Sequence, residues 1–311
     1  MILDDLRRIR FQTFIFILEV TEDSELVVNK ASMFRGGIGE MLLRKHCLRD
    51  RNCDTCDFCD ECVVRNVFYH PMKVRPDFVQ GKENTGYIIE CDDHRKHLKA
   101  GNRIELLITL FGNVVIHFPS IMDAVYMLGQ SGVGADKVHY EVLTIQNLAG
   151  KTIMQNNQVY LRNAAPQTLG DYTESRLDEY KDKNDEIDIR MEIISPCTIK
   201  RDGEFHYEFD DGTLVNGIYR RIYLLSCFEG NEISQYYGSE DDVKILEQNT
   251  NKITVTRFSS THDSKLYLTG FIGELRIRVK RSFLPYLISG EILHIGKNTA
   301  MGFGKYRIHP G

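Results

Sequence analysis

Hydrophobic and polar positions near the start of the chain predict a strand followed by a helix. The segment Arg10–Val20 is rich in Phe, Ile and Thr, which favour strands. Ser32 is a residue type that caps helices, and the stretch IGEMLLRKH after it places Ile38, Met41 and Leu42 on one helical face. We therefore expect a strand over residues 10–20 and a helix that begins near Ser32.

Two more strands and a second helix are predicted in the same half. The segments IELLITLFG and VVIHF, which begin at Ile104 and Val114, are strand-like. Ser120 and Asp123 resemble a capping box, so a helix is expected to begin there and to end at Gly129. A glycine-rich loop, QSGVGADK, follows this helix.

The second half repeats this order. IDIRMEIISP alternates as a strand does, and it is followed by a helical face formed by Leu214, Ile218, Ile222 and Leu225. LYLTGFIGELRIRVK is predicted to be a long strand. A short helix from Leu284, a glycine-rich loop and a last strand in GKYRI complete the half.

Both halves thus follow roughly the order strand, helix, strand, strand, helix, strand, which is the ferredoxin-like pattern. The predicted fold class is α+β, with two tandem ferredoxin-like (RRM-like) domains. In each copy a glycine-rich loop follows the second helix, and in the second copy this loop lies near the C-terminus.

An acidic segment separates the two halves. DYTESRLDEYKDKNDEID, residues 171–188, carries eight acids, three bases and few apolar groups, so we predict a linker or an exposed segment. The predicted domains are residues 1–170 and 189–311, and the first contains a cysteine-rich insertion at about residues 47–70.

Composition and charge narrow the functional classes. The 311 residues are 42% hydrophobic and 27% charged, as in soluble globular proteins, and no apolar run predicts a membrane span. The N-terminus lacks a signal-peptide pattern, so the expected location is cytoplasmic. The net charge is −5, yet residues 252–307 hold ten Lys or Arg against three acids. Such a basic region suits phosphate, and a solvated basic face is the alternative.

The cations of this region fall into two groups. Arg276, Arg278 and Lys280 recur at every second residue of one predicted strand, which favours a phosphate track or else a solvated outer face. In the loop HIGKNTAMGFGKYRI, backbone amides around the glycines are predicted to form an anion site, with charge added by Lys297 and Lys305. The alternative for this loop is a tight turn. The glycines predicted to meet a nucleic-acid backbone are Gly296, Gly302 and Gly304.

Five of the eight cysteines lie in one stretch of sixteen residues, CLRDRNCDTCDFCDEC, which begins at Cys47. A cytosolic protein seldom holds structural disulfides, so metal binding is the better interpretation, and four thiolates suit zinc. The run CxxCxxCxxC formed by Cys53, Cys56, Cys59 and Cys62 is also similar to iron–sulfur ligation. Zinc is favoured over an iron–sulfur cluster and over unliganded thiols, and the expected role is structural.

In their order along the chain, the motifs resemble those of a known family. GKNTAMGFGKYRI resembles the signature glycine-rich loop of the CRISPR precursor-RNA processing endoribonucleases of the RAMP superfamily, and GELRIRVKRSFLPYLISGEILHIG resembles the strand and helix before that loop. ISPCTIKRDG resembles the opening of their second domain. FRGGIGEMLLRKHC, the cysteine cluster, LITLFG and GQSGVGADK resemble the first half of a cysteine-containing branch.

The resemblance implies two ferredoxin-like domains side by side and metal-independent cleavage of CRISPR repeat RNA (pre-crRNA). In that reaction the 2′-hydroxyl attacks the phosphate and leaves a cyclic phosphate and a 5′-hydroxyl. His294, directly before the loop, is the expected general acid or base, and His46 is its rival. Lys297 is expected to stabilise the phosphate charge or simply to bind it, and Arg35 to contact RNA.

The resemblance also implies a ligand set and a partner. The cysteines of the resembled branch are spaced like Cys47, Cys53, Cys56 and Cys62, which leaves Cys59 as an extra. The expected partner is CRISPR repeat RNA, with no membrane partner, while a homodimer and membership of a CRISPR effector complex stay open. The alternative function is a non-catalytic RNA-binding RAMP subunit of such a complex, and an iron–sulfur protein unconnected with RNA is a third.

Overall fold

The computed structural model describes residues 2–69, 72, 74–76, 79, 85–180, 184–201, 203–231, 238–259 and 264–311. Position 70 of the predicted insertion and positions 181–183 of the predicted linker lie outside these residues. The α-helices of the described residues are α1 (Ile2–Leu6), α2 (Lys30–His46), α3 (Val63–Phe68), α4 (Phe118–Ser131), α5 (Leu169–Leu177), α6 (Asp211–Glu229) and α7 (Leu284–Leu293). None of these helices is long and apolar enough to cross a bilayer.

The strands divide between the two halves of the chain. Those of the first half are β1 (Arg10–Val20), β2 (Ser24–Glu25), β3 (Tyr87–Glu90), β4 (His97–Leu98), β5 (Arg103–Phe111), β6 (Tyr140–Gln146), β7 (Thr152–Gln155), β8 (Gln158–Val159) and β9 (Gln167–Thr168). Those of the second half are β10 (Glu186–Cys197), β11 (Ile199–Arg201), β12 (Glu204–His206), β13 (Val243–Ser259), β14 (Ser264–Lys280) and β15 (Tyr306–Pro310).

The first half is built around an antiparallel sheet in the order β3–β5–β1–β6, which β7 and β8 extend. Its central strand, β1, pairs along its length with β5, with Phe14 opposite Ile108. Helix α2 connects β1 to β3, and α4 connects β5 to β6, which is the ferredoxin-like connection. The helices cover one face of the sheet, where the ring of Phe118 stacks on Phe14 with the ring centroids 3.8 Å apart.

The second half repeats the same strand order, β13–β14–β10–β15, also antiparallel. Here α6 connects β10 to β13, and α7 connects β14 to β15. Leu275, Ile277 and Val279 point into the core from β14, as the alternating pattern predicts. The predicted fold class of two tandem ferredoxin-like domains is therefore confirmed.

One strand prediction in the first half is wrong. VVIHF lies in a 3₁₀ helix over Gly112–His117 instead of in a strand. The second strand of this ferredoxin-like unit is β3, whose four residues are all buried. A short strand that is buried on both faces has no alternation, so its pattern gives little signal.

The predicted start and end of α4 are also wrong. The helix begins at Phe118 without a side-chain capping bond, because Pro119 suits the first helical turn. Asp123 pairs with Lys45 of α2 and therefore takes no part in a capping box with Ser120. The helix continues beyond Gly129 to Ser131.

The predicted acidic linker contains a packed helix. Thr168 and Asp171 form a capping box at the start of α5. Tyr172 Oη and Arg176 Nη1 then donate to Glu291 Oε2 of α7, at 3.0 and 2.6 Å. The segment is therefore not simply exposed, because its polar side chains bond to the second half. The domain boundaries at residues 170 and 189 stay a prediction.

Candidate functional site

The loop between α7 and β15, residues 294–305, packs against the end of β3 in the first half. We call this segment the glycine loop. Gly302 lies so close to β3 that a Cβ atom there would come within 2.9 Å of Ile89 O. At Gly304, which has φ 71°, a Cβ atom would overlap the carbonyl oxygen of Ile295. These glycines are therefore required by the protein's own packing.

The amides of the glycine loop are largely used within the protein. Gly302 N–H donates to Thr299 O at 2.9 Å, and Gly304 N–H donates to Pro196 O at 3.0 Å. The backbone next to Gly296 is held in the same way, since the amide of Lys297 donates to Thr198 O, just before β11, at 2.9 Å. This pairing favours the tight turn, and an RNA contact at Gly302 and Gly304 stays a prediction.

His294 is a buried part of the glycine loop, with 1% of its surface exposed. Its Nδ1 donates to Phe303 O at 3.0 Å, and its Nε2 lies 3.5 Å from Glu90 Oε1. The backbone of His294 has φ 57° and ψ 167°, a region that costs a non-glycine residue about 1–3 kcal/mol. A general acid or base must reach its substrate, and in this conformation the ring of His294 is covered, so its catalytic role stays a prediction.

Lys305 is also held by carboxylates of the first half. Its Nζ lies 2.7 Å from Glu90 Oε1 and 2.7 Å from Asp92 Oδ2, and only 13% of the side chain is exposed. Two carboxylates neutralise the ammonium. The phosphate contact of Lys305 therefore stays a prediction, in which RNA would compete with these carboxylates.

The pKa of Glu90 is lowered by its contacts with His294 and Lys305. Burial alone would raise the pKa of the carboxyl, but the charges of His294 and Lys305 outweigh burial and hold the pKa at about 2. Nothing in the sequence marks Glu90, because an acidic residue at the end of a four-residue strand belongs to no motif.

The depressed pKa of Glu90 predicts a step in acid stability. The unfolded carboxyl titrates near 4.3, so the stabilisation is complete above that pH and is lost as the pH falls towards 2. We expect this step to amount to roughly 3 kcal/mol of unfolding free energy. Denaturant titrations at a series of pH values should show the step in the wild type and not in Glu90→Gln. The same slope in both proteins would contradict the assignment.

The cations of β14 are paired with acids on neighbouring elements. Exposed ion pairs of this kind contribute about 0–1 kcal/mol and leave little free charge for a ligand. The pairs fit the solvated outer face, and the phosphate track stays a prediction. The pairs are Arg276 with Glu247 (2.5 Å), Arg278 with Asp188 (2.7 Å) and Lys280 with Asp242 (3.7 Å).

Arg35 of α2 lies at the boundary between the halves. Its Nε donates to the hydroxyl of Tyr87 at 2.7 Å. Its guanidinium lies 5.5 Å from the centroid of the Phe68 ring and 5.8 Å from that of the Tyr87 ring. Two aromatic rings thus fix the position of this cation, which pairs with no carboxylate of the described residues.

Arg257 of β13 brings a second positive charge to the same boundary. Its Nη1 lies 3.2 Å from Met301 Sδ in the glycine loop, and its buried Nε has no hydrogen-bond partner among the described residues. Burial, together with the nearby charge of Arg35, lowers the pKa of Arg257. Within the described residues no carboxylate pairs with either arginine. We call this pair of residues, Arg35 and Arg257, the arginine seam.

Two arginines that pair with no carboxylate of the described residues are suited to bind an anion. Arg35 was predicted as an RNA contact, whereas Arg257 was only one of ten cations in the basic region. No feature of the segment KITVTRF places it beside α2, and only the fold does so. Lys297, at the start of the glycine loop, is half-buried, and no carboxylate of the described chain pairs with its ammonium. It keeps its predicted role as a phosphate contact.

The cysteine cluster lies beyond the other end of α2. Cys47, Cys53, Cys56 and Cys62 line one cavity of about 210 Å³, whereas Cys59 does not line it. Four thiols around one cavity have the chemistry that zinc requires. Among the described side chains, however, no three His, Cys, Asp or Glu residues converge into a ligand set. The structure thus does not support zinc beyond the shared cavity, and zinc stays a prediction.

His46 lines the same cavity and is not at the arginine seam. It follows Arg35 by eleven positions on α2, a rise of about 16 Å. Its Nε2 is buried and has no hydrogen-bond partner in the part of the chain that the structure describes, and burial lowers the pKa of the ring. The structure therefore does not bring together the two histidines predicted to be catalytic, His46 and His294.

The lining of the cavity predicts which cysteines bind zinc. We expect purified protein to hold about one zinc per chain. Cys56→Ser should lose this zinc, because Cys56 lines the cavity, and Cys59→Ser should retain it. Mass spectrometry of the bound metal measures both variants. Equal losses in the two variants would contradict the ligand set of Cys47, Cys53, Cys56 and Cys62.

Comparison with known proteins places both halves in families. Residues 8–168 match the AF_1859_N family, an N-terminal domain, and residues 191–306 match the family of the CRISPR-associated endoribonuclease Cas6. An uncharacterized protein of Archaeoglobus fulgidus is 22% identical over 283 residues, which is 88% of this chain and 90% of that protein.

Solved structures share the fold. A Cas6 product complex superposes with a TM-score of 0.54 at 13% identity, over 96% of this chain and 99% of that chain. Cas6 of Thermus thermophilus superposes with a TM-score of 0.51 at 11% identity, over 96% and 98%. A partial Cas6-RT-Cas1–Cas2 complex gives a TM-score of 0.61 at 13% identity over 97% of this chain, which spans 46% of that longer chain.

The family matches and the fold agree with the resemblance that the motifs indicate. The first-half match covers just over half of the chain, and the Cas6 match includes the glycine loop and the strand β14 before it. The chain therefore belongs to the AF_1859_N family, and its residues 191–306 match the family of the CRISPR-associated endoribonuclease Cas6.

Proposed function

We propose that this chain is an endoribonuclease that cuts CRISPR repeat RNA at the arginine seam. The main evidence is the pair Arg35 and Arg257. Both cations are half-buried, they come from different halves, and neither pairs with a carboxylate of the described residues. An RNA backbone supplies one negative charge at each nucleotide, so it provides the missing counterion. The match of residues 191–306 to the Cas6 endoribonucleases supports cleavage of that RNA.

The chemistry proposed is attack by the 2′-hydroxyl on the adjacent phosphate, without a catalytic metal. The products are then a cyclic phosphate and a 5′-hydroxyl. Arg257 and Lys297 stabilise the charge that grows on the phosphate oxygens, and Arg35 orients the backbone. The stacked position of Arg35 suits orientation, because its rings hold the guanidinium in place.

The experiment is incubation of the purified protein with a labelled repeat RNA from its own genome in EDTA, followed by mapping of the product ends. A single cut that leaves a 5′-hydroxyl and a cyclic phosphate is the expected result. Cleavage only after a divalent metal is added would overturn the metal-independent chemistry. A variant with Arg35→Ala and Arg257→Ala is the control, and it should neither bind nor cut normally.

A second candidate function is a non-catalytic RNA-binding subunit of a CRISPR complex. The burial of His294 favours it, since that residue is the expected acid or base. A similar fold occurs within the longer chain of a Cas6-RT-Cas1–Cas2 complex, which supports assembly with other CRISPR proteins. RNA binding without any cut in the same assay would establish this function in place of the first.

A further inference from the structure

A single carboxylate of the first half, Glu90, holds both ends of the glycine loop of the second half. Glu90 lies at the end of β3 and is 6% exposed. Its Oε1 is 2.7 Å from Lys305 Nζ, at the end of the loop, and 3.5 Å from His294 Nε2, at its start. We propose that Glu90 is a positioning residue that fixes the glycine loop against the first half and so sets the shape of the RNA site.

The contacts of His294 show that the start of the loop is held from two sides. Its Nδ1 faces the carbonyl oxygen of Phe303, inside the loop, and its Nε2 faces Glu90, outside it. The ring thus connects the loop's own backbone to the first half. The strained backbone of His294 agrees with this, because such a conformation persists only where surrounding contacts enforce it.

The path from Glu90 to the arginine seam is short and continuous. The residue before Glu90 on β3 is Ile89, and its carbonyl oxygen would lie 2.9 Å from a Cβ atom added at Gly302. Met301, the neighbour of Gly302, contacts Arg257. A loop released from Glu90 therefore moves the surface on which Arg257 rests. Glu90 itself is covered, so it acts on RNA only through the loop.

The experiment compares Glu90→Gln with Glu291→Gln. Glu291 is the matched control, because it is also a buried carboxylate, and it pairs at 2.6 Å with Arg176 of the acidic segment instead of with the loop. Hydrogen exchange of residues 294–305 is measured without RNA. The cleavage rate at saturating repeat RNA and the Kd are measured separately. This second readout rests on the proposed function, and the first does not.

We expect Glu90→Gln to speed amide exchange in the glycine loop and to slow cleavage by roughly 10- to 100-fold, while the Kd changes little, because a misplaced site loses rate more than binding. Glu291→Gln should leave both readouts near the wild-type values. Unchanged exchange in Glu90→Gln would overturn the proposal. Faster exchange with unchanged cleavage, or an equal loss in Glu291→Gln, would overturn the positioning role.

A wild type that binds repeat RNA without cutting it would refute the proposed cleavage separately. The exchange comparison still decides whether Glu90 holds the loop. In that case faster exchange of residues 294–305 in Glu90→Gln than in Glu291→Gln supports the proposal, and equal exchange in the two variants would overturn it.

Discussion

Replacing Gly304 by alanine is expected to lower the unfolding free energy by about 3 kcal/mol, and with it to abolish RNA cleavage. Two costs combine at this position. Gly304 has φ 71°, where an L-residue is strained by about 1–2 kcal/mol, and the added Cβ would overlap Ile295 O. The loop cannot shift away easily, because Ile295 N–H donates to Gly304 O at 3.0 Å. Urea denaturation measures the loss.

The control for this prediction is Gly101→Ala. Gly101 has φ 82°, but an added Cβ would meet no atom within 4 Å. It therefore reports the backbone cost alone, which we expect to be about 1 kcal/mol. If Gly101→Ala and Gly304→Ala destabilise the protein equally, the close packing of the glycine loop is not what makes Gly304 necessary.

Replacing Arg257 by alanine is expected to weaken binding of repeat RNA about tenfold at low salt. Loss of one phosphate contact should also reduce the slope of log K against log salt by about 1. The effect is large for one cation because Arg257 is half-buried and no described carboxylate competes for its charge. Filter binding or fluorescence anisotropy over a range of salt concentrations measures both quantities.

Arg278→Ala is the matched control, since it also removes one arginine from the basic region. The guanidinium of Arg278 is already paired with Asp188 at 2.7 and 3.2 Å. We therefore expect RNA affinity and the salt slope to stay near the wild-type values. Equal effects of the two substitutions would mean that RNA senses the net charge of the region and not the arginine seam.

The fold was predictable because its information is local. The strand β1, the apolar face of α6 and the alternation of β14 each follow from residues close together in the sequence. The duplicated element order then selects the ferredoxin-like class. The exceptions are local too. β3 is four buried residues without alternation, and Pro119 moved the start of α4 away from Ser120.

The site residues were predictable from sequence only where they lie within a single segment of the chain. The sequence identified the glycine loop and Arg35, but not the partners that decide what each cation does. Whether Lys305 is free depends on Asp92, 213 positions away. Likewise, alternation correctly placed Arg278 on the outer face of β14, but the pairing register with β10 had to be known before Asp188 was found opposite.

The pairing of Lys305 with Glu90 has a consequence for chimeric proteins. The second half supplies Lys305, and the first half supplies its two carboxylate partners, so neither half contains the finished loop by itself. A chimera that joins residues 189–311 to the first half of another protein must bring an acidic side chain at the end of its second sheet strand. Without that residue, the transplanted half would carry a largely covered lysine without its carboxylate partner.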